Sequence, residues 1–204
     1  MKWRLLPTRQ RASADKGAAD LSYSYKPSLV GASCKFDLTD SGLSWRMASR
    51  SGVWPYATIA AIRLSYRPVS MQSRRFRADI VNDAGRSVRL MSVSWQTASL
   101  VAPQDESYCT FVRALHGRIA AEGGKPLLLA GLTRPVYGLG LIAMALVGLA
   151  LAALFIRAAM IGSYGGMLFL AGFAALFGWQ LGGFMARNKP RSYAADDVPR
   201  DLLP

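Results

Sequence analysis

The sequence predicts a mainly β domain with added α structure. It reads as a small antiparallel sandwich or barrel with one C-terminal capping helix, followed by a two-helix transmembrane hairpin. Three observations carry that reading. Apolar and polar residues alternate from Leu21 to Trp95, the period changes to about 3.6 between Tyr108 and Ile119, and two long uncharged runs follow.

Residues 1–20 are polar, basic and aperiodic, and are expected to form a tail. The opening Met1-Lys2-Trp3-Arg4-Leu5-Leu6-Pro7 lacks the apolar stretch a signal peptide needs. The β domain is placed at 21–124. Leu21, Tyr23 and Tyr25 alternate with Ser22, Ser24 and Lys26, and Cys34, Phe36 and Leu38 with Lys35, Asp37 and Thr39. A turn at Asp40-Ser41-Gly42 leads to Leu43, Trp45 and Met47, and a second is expected at Ser51-Gly52. Ile62, Leu64 and Tyr66 then oppose Arg63, Ser65 and Arg67. Phe76, Ala78 and Ile80 oppose Arg75, Arg77 and Asp79. After the hairpin signal Asn82-Asp83-Ala84-Gly85, Val88 and Leu90 share one phase while Met91, Val93 and Trp95 share the other. Such a slip turns every later side chain over, so a bulge or bend is expected near Leu90–Met91.

A capping helix is predicted over 105–122. Tyr108, Phe111, Val112, Leu115 and Ile119 form its apolar stripe, Asp105 and Glu106 suit its positive end, and Gly123-Gly124 stop it. Residues 125–135 are expected as a juxtamembrane linker. Residues 135–156 and 158–186 then carry no charged side chain. At about 1.5 Å per residue, 22 residues reach roughly 33 Å, enough for a bilayer core of about 30 Å. Two transmembrane helices are therefore placed at about 136–156 and 167–186, with a tail at 187–204.

Orientation follows from charge. Arg118, Lys125, Arg134, Arg187, Lys189, Arg191 and Arg200 flank the outer ends of the hairpin, whereas its connector offers only Arg157. The positive-inside rule puts both termini in the cytoplasm. Residues 1–134 hold 20 Lys and Arg against 9 Asp and Glu. That excess suits an anionic membrane surface. A nucleic-acid partner is not expected, because no recognition helix or aromatic platform accompanies the charge.

Chemistry is sparse. Gly42-Leu43-Ser44-Trp45-Arg46 starts like a nucleophile elbow but has Arg where the closing Gly belongs. Gly138-Leu139-Gly140-Leu141-Ile142-Ala143 matches a loose dinucleotide fingerprint, but inside an apolar span with no preceding strand. Cys34 and Cys109 lie 75 residues apart, match no metal spacing, and read as small hydrophobes in a reducing compartment. The single histidine, His116, reads as a packing residue. No catalytic residue, metal site or cofactor is expected, and the protein is taken as non-catalytic.

Two surfaces remain. Arg63, Arg67, Arg74, Arg75 and Arg77 form a basic face for lipid headgroups or a partner. Gly148, Ala152, Ala174, Gly178, Gln180, Gly182 and Ala186 form a helix-packing face, either for the two helices themselves or for another protein's helix. The residues after Arg187, ending Leu202-Leu203-Pro204, read as a plain tail or a docking peptide.

About seven short strands followed by one amphipathic helix resemble the pleckstrin-homology (PH) superfold, with residues 36–43 and the Trp45 strand as its best local features. Bacterial families join such PH-like domains to paired transmembrane helices, and this chain looks similar over about 21–186. The resemblance implies a bent β-sandwich capped by the helix, and a location in a bacterial inner membrane. The expected role is a protein-interaction, scaffold, accessory-subunit or assembly module, whose partner is a membrane protein or a second copy of the chain. The alternative is a sensor of anionic lipids, and a membrane enzyme is the third reading.

Overall fold

The computed structural model describes residues 21–68, 74–97 and 101–204; the tail expected at 1–20 lies outside the described residues. Strands β1 (Leu21–Tyr25), β2 (Cys34–Thr39), β3 (Gly42–Met47) and β4 (Arg50–Trp54) form one antiparallel sheet in sequence order. Strands β5 (Ile59–Tyr66), β6 (Phe76–Asn82) and β7 (Ser87–Met91) form the antiparallel body of a second. Alternation fixes the buried faces: Tyr23, Phe36, Leu38, Leu43, Ile62, Leu64, Ile80 and Leu90 all enter one core.

The β3–β4 turn is Ala48-Ser49, so the turn expected at Ser51-Gly52 is displaced. Gly52 instead lies within β4, where a Cβ would sit 3.1 Å from the Trp45 ring. Gly42 has φ +134°, and a Cβ there would meet the Trp54 carbonyl oxygen at 2.2 Å. Only glycine fits at that crossing.

The two sheets are joined at one edge by hydroxyls rather than by a ladder. Tyr25 donates to the Arg89 carbonyl at 2.6 Å, and Tyr23 donates to that of Met91. Burial raises both phenols far above the ordinary tyrosine pKa, so they remain donors.

The expected bend falls at Ser92, between β7 and β8 (Val93–Trp95). The Ser92 hydroxyl accepts from Phe76 N–H at 3.0 Å, its N–H donates to the Phe76 carbonyl, and its carbonyl accepts from Gln104 N–H. Leu90 and Val93 are both buried despite opposite phases, which is the slip read in the sequence. Strand β9 (Val101–Pro103) pairs with β8, and α1 (Asp105–Ala121) follows. Tyr108, Phe111, Val112, Leu115 and Ile119 of α1 enter the core.

The segment after α1 departs from the expected linker. Leu127–Ala130 is a strand, β10, parallel to β5 with Leu128 beside Ile62 and Ala130 beside Leu64. Helices α2 (Arg134–Met160) and α3 (Tyr164–Arg187) then rise as a hairpin with mean hydropathy 2.7 and 1.5. Both are long and apolar enough to cross a membrane, at roughly 40 and 36 Å. They exceed the expected spans at each end, and Pro135 occupies a first-turn position of α2, where its missing N–H is harmless.

The residues after α3 are part of the β domain. Arg191–Ser192 (β11) pairs with β10, and a turn of 3-10 helix at Arg200–Leu202 carries Leu202 and Leu203 into the core. The described residues thus form a mixed α/β assembly of sheets and three α-helices.

Candidate membrane-surface site at the hairpin root

Where α3 ends, Asn188 is fully buried. Its side-chain oxygen accepts from Tyr66 N–H at 3.0 Å, and its amide donates to the Tyr66 and Phe184 carbonyls at 3.0 and 3.1 Å. The amide thus takes the place of a neighbouring strand at the end of β5. The Asn188 backbone carbonyl accepts from Leu132 N–H, and Gly131 N–H donates to the Leu64 carbonyl at 2.7 Å. Gly131 has φ +80°, and a Cβ there would be 2.4 Å from the Asn188 carbonyl oxygen. The entering and leaving strands of the hairpin therefore cross backbone to backbone, against the last residues of β5.

That contact sets the sequence-expected basic residues beside the hairpin. Arg187 lies over the Tyr66 ring, 5.1 Å from its centroid, and Phe184 packs 6.5 Å from the same ring. Directly after Tyr66, Arg67 N–H donates to the Arg75 carbonyl, and the Arg75 side chain donates back to the Arg67 carbonyl at 2.9 Å. Arg74 is exposed beside them. Burial first, and then the neighbouring Arg77 guanidinium, push the Arg67 and Arg75 pKa values down from the ordinary arginine value. The Arg67 Nε and the Ser65 hydroxyl are buried without a hydrogen-bond partner among the described residues.

The five expected arginines are not equivalent. Arg77 is committed to Asp79, with contacts of 2.6 and 2.9 Å, and Arg89 approaches the same carboxylate at 3.6 Å. Arg63 reaches the Leu132 carbonyl at 3.5 Å. Among the described residues Arg67, Arg74 and Arg75 form no ion pair at the hairpin root, and Asp79 only partly offsets Arg67. Sequence reasoning missed Tyr66, Arg187 and Asn188. The available signal was the pair Arg187-Asn188 at the end of an apolar run, a basic and an amide side chain at a helix C-terminus.

The expected helix-packing face is divided. Gly148, Ala152, Ala174 and Gly178 line an open groove of about 400 Å³ between α2 and α3, with Phe155, Leu170 and Phe177. Outside its own stretch of helix backbone, a Cβ built at Gly148, Gly178 or Gly182 meets no atom of the described residues within 4 Å, so these glycines are not the closest seam of the pair. Gly140 meets Met185 nearer the root. Gln180 and Ala186 are exposed on α3.

His116 lies at a cleft of about 490 Å³ that also holds Asp196 and Asp197. Its Nδ1 bonds the Val112 carbonyl at 2.7 Å and its Nε2 the Tyr193 hydroxyl at 2.9 Å. Nδ1–H donates to the carbonyl, leaving Nε2 to accept from the phenol. Burial lowers the His116 pKa, opposed in part by the Val112 bond, so both nitrogens serve packing in the neutral ring. Cys34 is buried, Cys109 is partly buried, and the two are unbridged. Among the described residues no group of His, Cys, Asp and Glu is placed to hold a metal ion. No family model matches the chain, and neither a curated protein nor a solved structure is similar enough to match it.

Proposed function

We propose that the protein is a non-catalytic, membrane-anchored module with a PH-like domain apposed to the cytoplasmic face of a bacterial inner membrane, where its arginine-rich end engages anionic lipid headgroups. The element order supports the PH-like reading: β1–β4 in one antiparallel sheet, β5–β7 within the second, five-stranded sheet, the β8–β9 pair, and then a helix whose stripe enters the core. The Lys and Arg near the hairpin's outer ends, against Arg157 alone in its connector, support cytoplasmic termini.

The observation that carries the lipid reading is the Asn188–Tyr66 contact. It ties the end of β5 to the end of α3, so Arg67, Arg74, Arg75 and Arg187 share one rim at the base of the spans. Juxtamembrane basic groups are each attracted to an anionic surface by about 1 kcal/mol. The test is hydrogen exchange of the full chain in nanodiscs of neutral lipid and of lipid containing phosphatidylglycerol. Slower exchange at 63–68 and 74–79 in anionic discs is expected, reduced by high salt and by Arg74→Glu with Arg75→Glu. Equal exchange in the two lipids would sink the reading.

A second reading, docking of another membrane protein's helix, is favoured by the open small-residue groove between α2 and α3. It predicts a stoichiometric partner in mild-detergent purifications that is lost on Gly148→Leu with Gly178→Leu. Retention of that partner by the double variant would refute it.

A further inference from the structure

Several outer strands of the β domain are partly covered by other segments. The β7 carbonyls receive the Tyr23 and Tyr25 hydroxyls, β1 runs on into contacts with β8, and β5 is paired by β10. The edge beyond β10 is closed by β11, only two residues long. Strand β4 is different. It ends its sheet, and among the described residues no backbone hydrogen bond joins its outer edge to another segment. A row of alternate N–H and C=O groups therefore faces outward.

A trough of about 700 Å³ runs along that strand. All of β4 lines it, together with Trp45 and Met47 of β3, Arg86 of the β6–β7 turn and Ser87 at the start of β7. Trp45 and Trp54 meet edge to face at 5.5 Å and supply an aromatic floor, and the indole N–H of Trp45 is buried without a partner among the described residues. Arg50 and Arg86 are the only charged residues of the lining, and neither has an ion-pair partner among the described residues.

We propose that this edge and trough dock an acidic peptide in extended conformation, which adds to β4 as a further strand. Backbone groups of the peptide complete the free β4 ladder. Its apolar side chains lie on Trp45, Met47 and Trp54, and its carboxylates meet Arg50 and Arg86. Charge decides the occupant. A second copy pairing through β4 would bring like arginines into one trough, on a chain whose net charge is already +13.

The site lies away from the hairpin root. Strand β5 spans eight residues between its Asn82-paired end and Tyr66, about 23 Å at the usual strand rise, and Arg86 follows Asn82 in the β6–β7 turn. The inference is therefore independent of lipid binding at the root.

The test uses the full chain in nanodiscs of neutral lipid, with the synthetic probe acetyl-Asp-Ile-Glu-Val-Asp-Phe-Glu-amide. The controls are its counterpart with every acid replaced by lysine, and a version with proline at the central valine. Expected are slower exchange of the 50–54 amides, a shift of the Trp45 indole N–H resonance without a shift of Trp179, and at least tenfold weaker binding of both controls. Arg50→Glu with Arg86→Glu should weaken the acidic probe about tenfold and admit the lysine peptide instead. Because both positions are exposed, the double variant should fold as the parent does. Equal binding of the three peptides, protection away from β4, no acidic-probe binding at millimolar concentration, or peptide-free dimers with protected 50–54 amides would each overturn the proposal.

Discussion

Replacing Asn188 tests how firmly the β domain is tied to the helical hairpin. The side chain makes three hydrogen bonds in a fully buried setting, two of them to the N–H and carbonyl of Tyr66. Asn188→Ala leaves both Tyr66 groups without partners, and a buried unsatisfied polar group costs about 1–3 kcal/mol. Because water can recover part of that loss at the domain edge, the expected destabilisation is roughly 2–4 kcal/mol. At about 2–4 °C per kcal/mol for a chain of this size, Tm should fall by roughly 4–16 °C. Asn188→Asp is the sharper variant. It keeps the acceptor for Tyr66 N–H but sets a second oxygen against the Tyr66 and Phe184 carbonyls, and it buries a charge. It should be at least as harmful as alanine. Thermal unfolding in nanodiscs gives the ranking, and hydrogen exchange at Tyr66 gives the local effect. If either variant melts within about 1 °C of the parent, or the alanine variant leaves Tyr66 exchange unchanged, Asn188 does not hold the two parts together.

Two further outcomes follow from the C-terminal segment and its contact with α1. Leu202 is fully buried in the domain core, so Leu202→Ala should destabilise the β domain by about 2–5 kcal/mol in thermal melts, whereas an unattached tail would show no change. His116 has a folded-state pKa below its ordinary value of 6.5 because it is buried. As pH falls below about 6.5 the unfolded chain takes up a proton that the folded chain resists. This contribution to stability is therefore complete above pH 7 and lost on acidification toward the folded pKa. Melting at pH 7.5 and 5.5 should show that loss in the parent and a smaller one in His116→Gln; identical losses would exclude His116 as the source.

Much of the molecule is legible in the sequence because its elements carry their own periodicity. The stripe from Tyr108 to Ile119 gives α1 to within a residue, and the phase slip after Leu90 announces the bend found at Ser92. Other features are invisible for physical reasons. Leu127–Ala130 and Leu202-Leu203 are too short to show a period, and their burial is decided by β5 and α1, far away in the chain. Gly52 reads as a turn residue, yet it serves to let the Trp45 indole lie across β4. At the hairpin root the arginines are readable as charge. The tying of Arg77 and Arg89 to Asp79 comes from strand geometry and register, and the closeness of Arg67 and Arg75 to Arg187 from the Asn188 contact.

The most direct test of the account is the depth of the β domain's two ends relative to the bilayer. Spin labels at Arg74→Cys and Arg86→Cys, in a background lacking Cys34 and Cys109, can be read against a headgroup-bound relaxation agent in nanodiscs. The account predicts strong relaxation at position 74, beside the hairpin root, and weak relaxation at position 86, about 25 Å away along the strands. Equal relaxation at the two positions would contradict it.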